Sequence, residues 1–127
     1  MTIHNPDSIA APVGAYVHGL ETAPGARILH VSGQIGMAKD GTIPSGTKAQ
    51  SELVWQNITE ILASADMQIS DIVKMTAYLL GPEDLADYGA ARTAALAGHK
   101  PTSTLIFVAG LVKPELRVEV EVVAAKA

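Results

Sequence analysis

The alternation of apolar and polar positions divides this chain into short strands and two helices. Tyr16 to Leu20 and Arg27 to Ser32 read as two strands, joined by the turn signal Thr22-Ala23-Pro24-Gly25. Residues 1–14 ahead of them are loop-like, punctuated by Asn5-Pro6, Pro12 and Gly14, with at most a short edge strand at the start. Ser32-Gly33-Gln34-Ile35-Gly36 ends the second strand, and Asp40-Gly41 and Pro44-Ser45-Gly46 mark a loop. A helix is predicted from Thr47 to Ala65, because Val54, Ile58, Ile61, Leu62 and Ala65 fall on one stripe at helical spacing.

Asp71 to Leu80 is the third long strand. Val73, Met75, Ala77 and Leu79 make an apolar face, while Ile72, Lys74, Thr76 and Tyr78 make a mixed one. After Gly81-Pro82, Glu83 and Asp84 suit the first turn of a second helix, which ends near Ala97-Gly98. Pro101 stops any continuation, and Ser103–Val108 and Arg117–Ala124 complete the pattern. The order is β-β-α-β-α-β-β, an α+β sheet with two helices on one face. The second face of such a sheet needs cover, which an oligomer commonly supplies.

Composition narrows this picture. A chain of 127 residues suits one domain, 1–127, with a core large enough to hold without staples. The hydrophobic fraction is 48%, yet only one Phe, three Tyr and one Trp contribute, so the core is aliphatic. With no cysteine there is no disulfide, thiol nucleophile or thiolate metal site. The four histidines (His4, His18, His30 and His99) show no metal-ligand spacing, and His30 is expected to pack mid-strand with a hydrogen-bonded ring. A net charge of −4 spread along the chain argues against a basic nucleic-acid face. No secretory signal and no membrane-length apolar run is visible, so a cytoplasmic protein with no membrane partner is expected. No phosphate loop or dinucleotide fingerprint is present.

Several residues could carry chemistry. At Ser32 and Gly33 a hydroxyl and free backbone N–H groups could hold a carboxylate or polarise a carbonyl, although a turn serine often satisfies its own backbone. The Tyr16 phenol could face a ligand or bond to backbone. Glu119 and Glu121 lie two residues apart on one strand face and need cations, for which Lys74 and Arg117 are candidates. Ser103, Leu105 and Phe107 alternate onto one face of their strand.

Five fragments in order resemble the Rid family, the YjgF-like or RidA-type reactive-intermediate deaminases. Gly14-Ala15-Tyr16-Val17-His18-Gly19 is similar to the family's opening, and Ser32-Gly33-Gln34-Ile35-Gly36 to its Ser-Gly-Gln turn. Gln50 and Asn57 occupy matching places in the first helix, and Asp71-Ile72-Val73-Lys74-Met75-Thr76 resembles a strand start. The ending from Pro101 through Glu119-Val120-Glu121 resembles the closing signature.

The resemblance implies a chorismate-mutase-like α+β fold, a homotrimer, and three clefts between subunits that take a small-molecule substrate without metal or organic cofactor. It implies that Glu119 orients the hydrolytic water, and that Ser32, Tyr16, Gly33, Gly89, Ser103, Leu105 and Phe107 line the cleft. The chain departs from the family at Ser103, where deaminating members carry an arginine that pairs with the substrate carboxylate. Leu105 is larger than the usual small residue, Gly89 stands in place of asparagine, and Arg92 in place of tyrosine. Serine cannot replace a bidentate guanidinium–carboxylate pair. Arg92 and Lys100 are candidate substitute cations, though solvated positions suit both better.

The expected function is hydrolysis of an enamine, imine or related small carbonyl compound, in the manner of a 2-iminobutanoate/2-iminopropanoate deaminase. Two other readings compete with it. One is a non-catalytic trimer that binds a metabolite or partner in the same cleft. The other is a ribonuclease, disfavoured by the acidic charge and the lack of clustered His, Lys and Arg.

Overall fold

A computed structural model describes all residues, 1–127. Its strands are β1 (Thr2–His4), β2 (Gly19–Glu21), β3 (Arg27–Ile35), β4 (Ile72–Leu79), β5 (Thr102–Phe107) and β6 (Val118–Lys126). Its helices are α1 (Thr47–Ser64) and α2 (Leu85–Leu96), with single 3-10 turns at Ile69–Asp71 and Pro82–Asp84. The expected β-α-β-α-β-β succession from Arg27 onward is observed.

The main sheet has four strands in the order β3-β6-β4-β5, with β4 and β5 parallel and the other pairs antiparallel. The strand expected at Tyr16–Leu20 is a correction: only Gly19–Glu21 is extended, and it pairs with β1 in a separate two-stranded ribbon. The reason lies in where the backbone donors go. The N–H groups of Tyr16, Val17 and His18 donate to Gly14 O, Pro101 O and Asn5 Oδ1, so none remains for a ladder.

One face of the main sheet carries the core. Val118, Val120, Val122 and Ala124 of β6 alternate with Glu119, Glu121 and Val123, and the first set is buried with Met75, Ala77 and Leu79 of β4. Val54, Ile58 and Leu62 of α1 and Tyr88 and Leu96 of α2 close over them. Trp55, Gln50 and Ser51 widen the buried stripe of α1 beyond the one its aliphatic periodicity marks. At roughly 1.5–3 kcal/mol per large apolar side chain removed from water, this layer supplies the main driving force for the helices to dock.

Two buried polar clusters fix how the helices meet the sheet. Gln50, fully buried, donates to Pro44 O and Glu115 O and accepts from Arg117 N at 2.8 Å. Gly36 permits that approach, because a Cβ there would lie 2.6 Å from the Gln50 backbone. Asp84, just before α2, accepts from Thr47 Oγ1, the Gly81 N–H and Arg117 Nε and Nη2. Burial pushes the Asp84 carboxyl up, but Arg117, Thr47 and Gly81 together hold it below the ordinary aspartate value. Arg117 is thereby spent on Asp84 and Glu83, and the expectation that it serves Glu119 or Glu121 is corrected.

Candidate functional site

The opposite face of the sheet is open. Lys74, Thr76 and Tyr78 of β4, Glu119, Glu121 and Val123 of β6, and Thr104 and Ile106 of β5 share it through their ladder partners. Two β-bulges break the sheet's regularity, and both fall where polar residues gather. In β3, Ser32 and Gly33 together stand opposite Glu121, between the pairs Val31–Val122 and Gln34–Val120. Ser32-Gly33 is therefore a bulge inside a strand that runs on to Ile35, where the sequence suggested a strand end. In β4 the extra residue is Val73, between the pairs Ile72–Ala124 and Lys74–Val123. The carbonyls around it are satisfied from outside the ladder: His99 Nε2 donates to Ile72 O and Thr102 Oγ1 donates to Val73 O, each at 2.7 Å. Bulges of this kind bend a strand and re-aim a side chain.

At the first bulge, the Glu119 carboxylate lies directly over Gly33. A Cβ built on Gly33 would fall 1.9 Å from Glu119 Oε2, so the missing side chain is what lets the carboxylate reach the bulge. Ser32, exposed beside it, lines a hollow of about 330 Å³ with His30, Lys74, Thr76 and Glu121. The Tyr78 hydroxyl donates to the Glu121 carboxylate, and this contact pushes the phenol's pKa up. Glu121 thus has a structural partner. His30 is solvent-exposed and makes no hydrogen bond through its ring, contrary to the packed histidine expected there.

A second hollow, of about 210 Å³, opens at the start of β5 and is lined by Tyr16, His18, Lys74, Thr102, Ser103 and Thr104, among others. Its wall is the 10–18 segment, held by several contacts. His18 Nε2 donates to Ala10 O at 2.7 Å, and the Tyr16 hydroxyl accepts from the Val13 N–H. The rings of Tyr16 and His18 meet edge to face with centroids 6.0 Å apart. Arg92 Nη2 donates to Ala15 O at 3.0 Å, so this arginine secures the loop beside Tyr16 rather than standing free in solvent.

Within one chain the expected residues therefore form three groups: Tyr16 with Ser103, Ser32 at its own hollow, and Gly33 under Glu119. Lys74 lines both hollows and joins the first two groups. Leu105 and Phe107 lie on the edge strand, 38% and 47% exposed, and line neither hollow. Gly89 sits on α2 with open space where a side chain would project. The largest hollow, about 740 Å³, is a groove between α1 and α2 floored by Ala90, Ala91, Ala94 and Ala95, away from all of these. No three His, Asp or Glu side chains converge as a metal site, and no helix is long and apolar enough to cross a membrane.

Residues 7–126 match the family model described as endoribonuclease L-PSP. The chain belongs to that family, the Rid or YjgF-like proteins. It is 28% identical over 124 residues to the 2-iminobutanoate/2-iminopropanoate deaminase of Escherichia coli K12, covering 94% of each chain. Its fold is similar to that of the Rid protein YyfB from Yersinia pestis, with a TM-score of 0.86, 30% identity and 98% of each chain covered. It is also similar to E. coli TdcF, solved with bound serine, with a TM-score of 0.75, 27% identity and full coverage of both chains. Rid-family membership and a reactive-intermediate-deaminase type of relative are thus established for the chain.

The sequence offered no sign of the two bulges or of the double placement of Lys74. Alternation within β4 put Lys74 on the mixed face, but only the pairing of β4 with both β5 and β6 brings it to Ser32 and to Ser103.

Proposed function

We propose that this Rid-family chain forms a homotrimer with small-molecule clefts between subunits, and that each cleft hydrolyses a small imine, enamine or related carbonyl compound. The observation that carries the reading is the Glu119 carboxylate laid over Gly33 at the Ser32-Gly33 bulge. In the proposed reaction Glu119 takes a proton from water as the oxygen attacks the C=N carbon. The Ser32 hydroxyl and nearby backbone N–H groups steady the polar groups of the substrate. Glu119 returns that proton to the nitrogen, and the carbinolamine so formed expels ammonia and leaves a carbonyl. Every atom comes from substrate and water, and no cofactor enters the scheme.

Support for the trimer comes from the open sheet face and from the exposed run Leu105-Ile106-Phe107 on edge strand β5. An uncovered strand edge carrying three large apolar residues is a surface that a neighbouring chain would cover. In that arrangement Tyr16, Ser103, Leu105, Phe107 and Gly89 of one subunit face Ser32, Gly33 and Glu119 of the next. Ser103 removes the bidentate clamp for a carboxylate, which favours a second reading: a cleft that binds a metabolite without turning it over. The family's description names an endoribonuclease. A net charge of −4, with one fixed cation in the two hollows, weighs against a polyphosphate substrate here.

The test generates 2-iminobutanoate in situ with a dehydratase and follows ammonia and keto-acid release. Wild-type protein is expected to accelerate release, Ser103→Arg to raise kcat/KM by roughly a hundredfold, the worth of a charge-assisted clamp, and Glu119→Gln to lower kcat by at least about a hundredfold. No acceleration by either the wild type or Ser103→Arg sinks the hydrolase and leaves the binding reading. Light scattering should give three times the 13.2 kDa chain mass, and a monomer would remove the intersubunit cleft.

A further inference from the structure

We propose that Lys74 is the anion-binding residue of this cleft, holding the substrate's carboxylate as a point charge in place of a guanidinium fork. The inference deepens the cleft reading above and rests on it. Lys74 follows the Val73 bulge, and its Cα is fixed on both sides, opposite Thr102 in β5 and Val123 in β6. From there the residue lines both the Ser32 hollow and the Tyr16–Ser103 hollow. It is exposed and has neither a hydrogen-bond nor an ion-pair partner.

The other cations do not compete. Arg27 donates to Ala65 O, Arg92 to Ala15 O, and Arg117 is engaged by Glu83 and Asp84. Lys48 pairs with Glu52, and Lys126 with Asp66. The remaining lysines, Lys39, Lys100 and Lys113, line neither hollow. The one acid that lines either hollow, Glu121, is engaged by the Tyr78 hydroxyl. Lys74 is therefore the one lysine or arginine that lines either hollow.

The physical consequence is a different selectivity. A guanidinium fork demands a planar, bidentate anion at one orientation, whereas an ammonium on four methylenes holds an anion by one contact from several directions. The cleft should accept small monocarboxylates of varied length and bind an uncharged analogue much less well. Thr104, on the same sheet face and lining the same hollow, has a hydroxyl that can meet a remaining oxygen, whereas that of Thr102 is spent on Val73 O.

The experiment is a titration of the full-length protein with 2-oxobutanoate, and separately with uncharged 2-butanone. The lysines are reductively 13C-dimethylated, a change that keeps their charge, and the Lys74 methyl signal is assigned by its loss in Lys74→Arg. 2-Oxobutanoate should move the Lys74 signal, and 2-butanone should leave it unmoved. By calorimetry on unlabelled protein, Lys74→Gln should weaken 2-oxobutanoate binding about 10- to 100-fold, while Lys74→Arg stays within a few-fold of wild type. An unmoved Lys74 signal, an absence of 2-oxobutanoate binding, or a Lys74→Gln affinity equal to wild type overturns the proposal. The methyl signal in the unsubstituted chain decides the matter even if Lys74→Gln disturbs assembly. Carboxylate binding through Lys74 without ammonia release would refute the hydrolase and leave this inference standing. Ammonia release with an unchanged KM in Lys74→Gln would do the reverse.

Discussion

Replacing Gly33 by alanine asks whether the closeness of Glu119 to the bulge matters for chemistry or only for packing. Gly33 is not among the residues with a left-handed backbone, so alanine brings no conformational strain and even reduces the entropy of the unfolded chain. What it brings is a methyl group 1.9 Å from Glu119 Oε2, where ordinary contact begins at 3.4 Å. The carboxylate is the far end of a flexible side chain and must retreat by about 1.5 Å. A displacement of this size at a group that positions water costs on the order of a hundredfold in rate, about 2.7 kcal/mol of activation free energy. Stability should change by less than about 1 kcal/mol, because the displaced group moves toward solvent and no core atom is touched. The assay pairs ammonia release with a urea titration of the same preparation. A folded Gly33→Ala protein with wild-type kcat/KM would refute the argument, and so would a crystal structure of the variant with Glu119 unmoved.

Two further substitutions probe the polar clusters that seat the helices. Asp84→Asn should cost about 2–3 kcal/mol in urea at neutral pH, by removing the buried charge partner of Arg117 and leaving it only the exposed Glu83. The folded-state value of Asp84 lies below its ordinary 3.8. Its contribution is therefore fully present above that pH and lost as pH falls through the depressed value, so the wild-type advantage over Asp84→Asn should shrink in acid. An advantage independent of pH would show that the carboxylate charge is irrelevant. Gln50→Ala strands Pro44 O, Glu115 O and the Arg117 N–H and opens a cavity, for an expected loss of about 3–5 kcal/mol by chemical denaturation. A loss under 1 kcal/mol would mean that those backbone groups find other partners.

The helices and main strands were legible in the chain because each carries a one-dimensional period. Val54, Ile58 and Leu62 at helical spacing are buried under the sheet, and Val118, Val120 and Val122 alternate inward as a strand with one buried face must. The strand expected at Tyr16 failed for a reason no period contains. Its N–H groups are claimed by Gly14, Pro101 and Asn5, one of them from more than eighty residues away in sequence. Arg92 and Arg117 were misjudged likewise: Arg92 looks like a solvated cation, and Arg117 like a partner for Glu119 or Glu121, until Ala15, Asp84 and Glu83 are in place.

By itself, then, the sequence determined the α+β class, the extent of both helices, the inward faces of β4 and β6, and membership of the Rid family. Those features follow from periodicity and from short fragments in a fixed order, which are properties of the chain as a string. Tertiary structure alone decided the register, and with it the bulges at Ser32-Gly33 and Val73. A bulge exists only as a mismatch between two paired strands, so neither strand can announce it. The placement of Glu119 over Gly33 and of Lys74 between two hollows follows from that register. The sequence resembles a family scaffold with Ser103 where an arginine is expected, and the fold set Lys74 against both hollows.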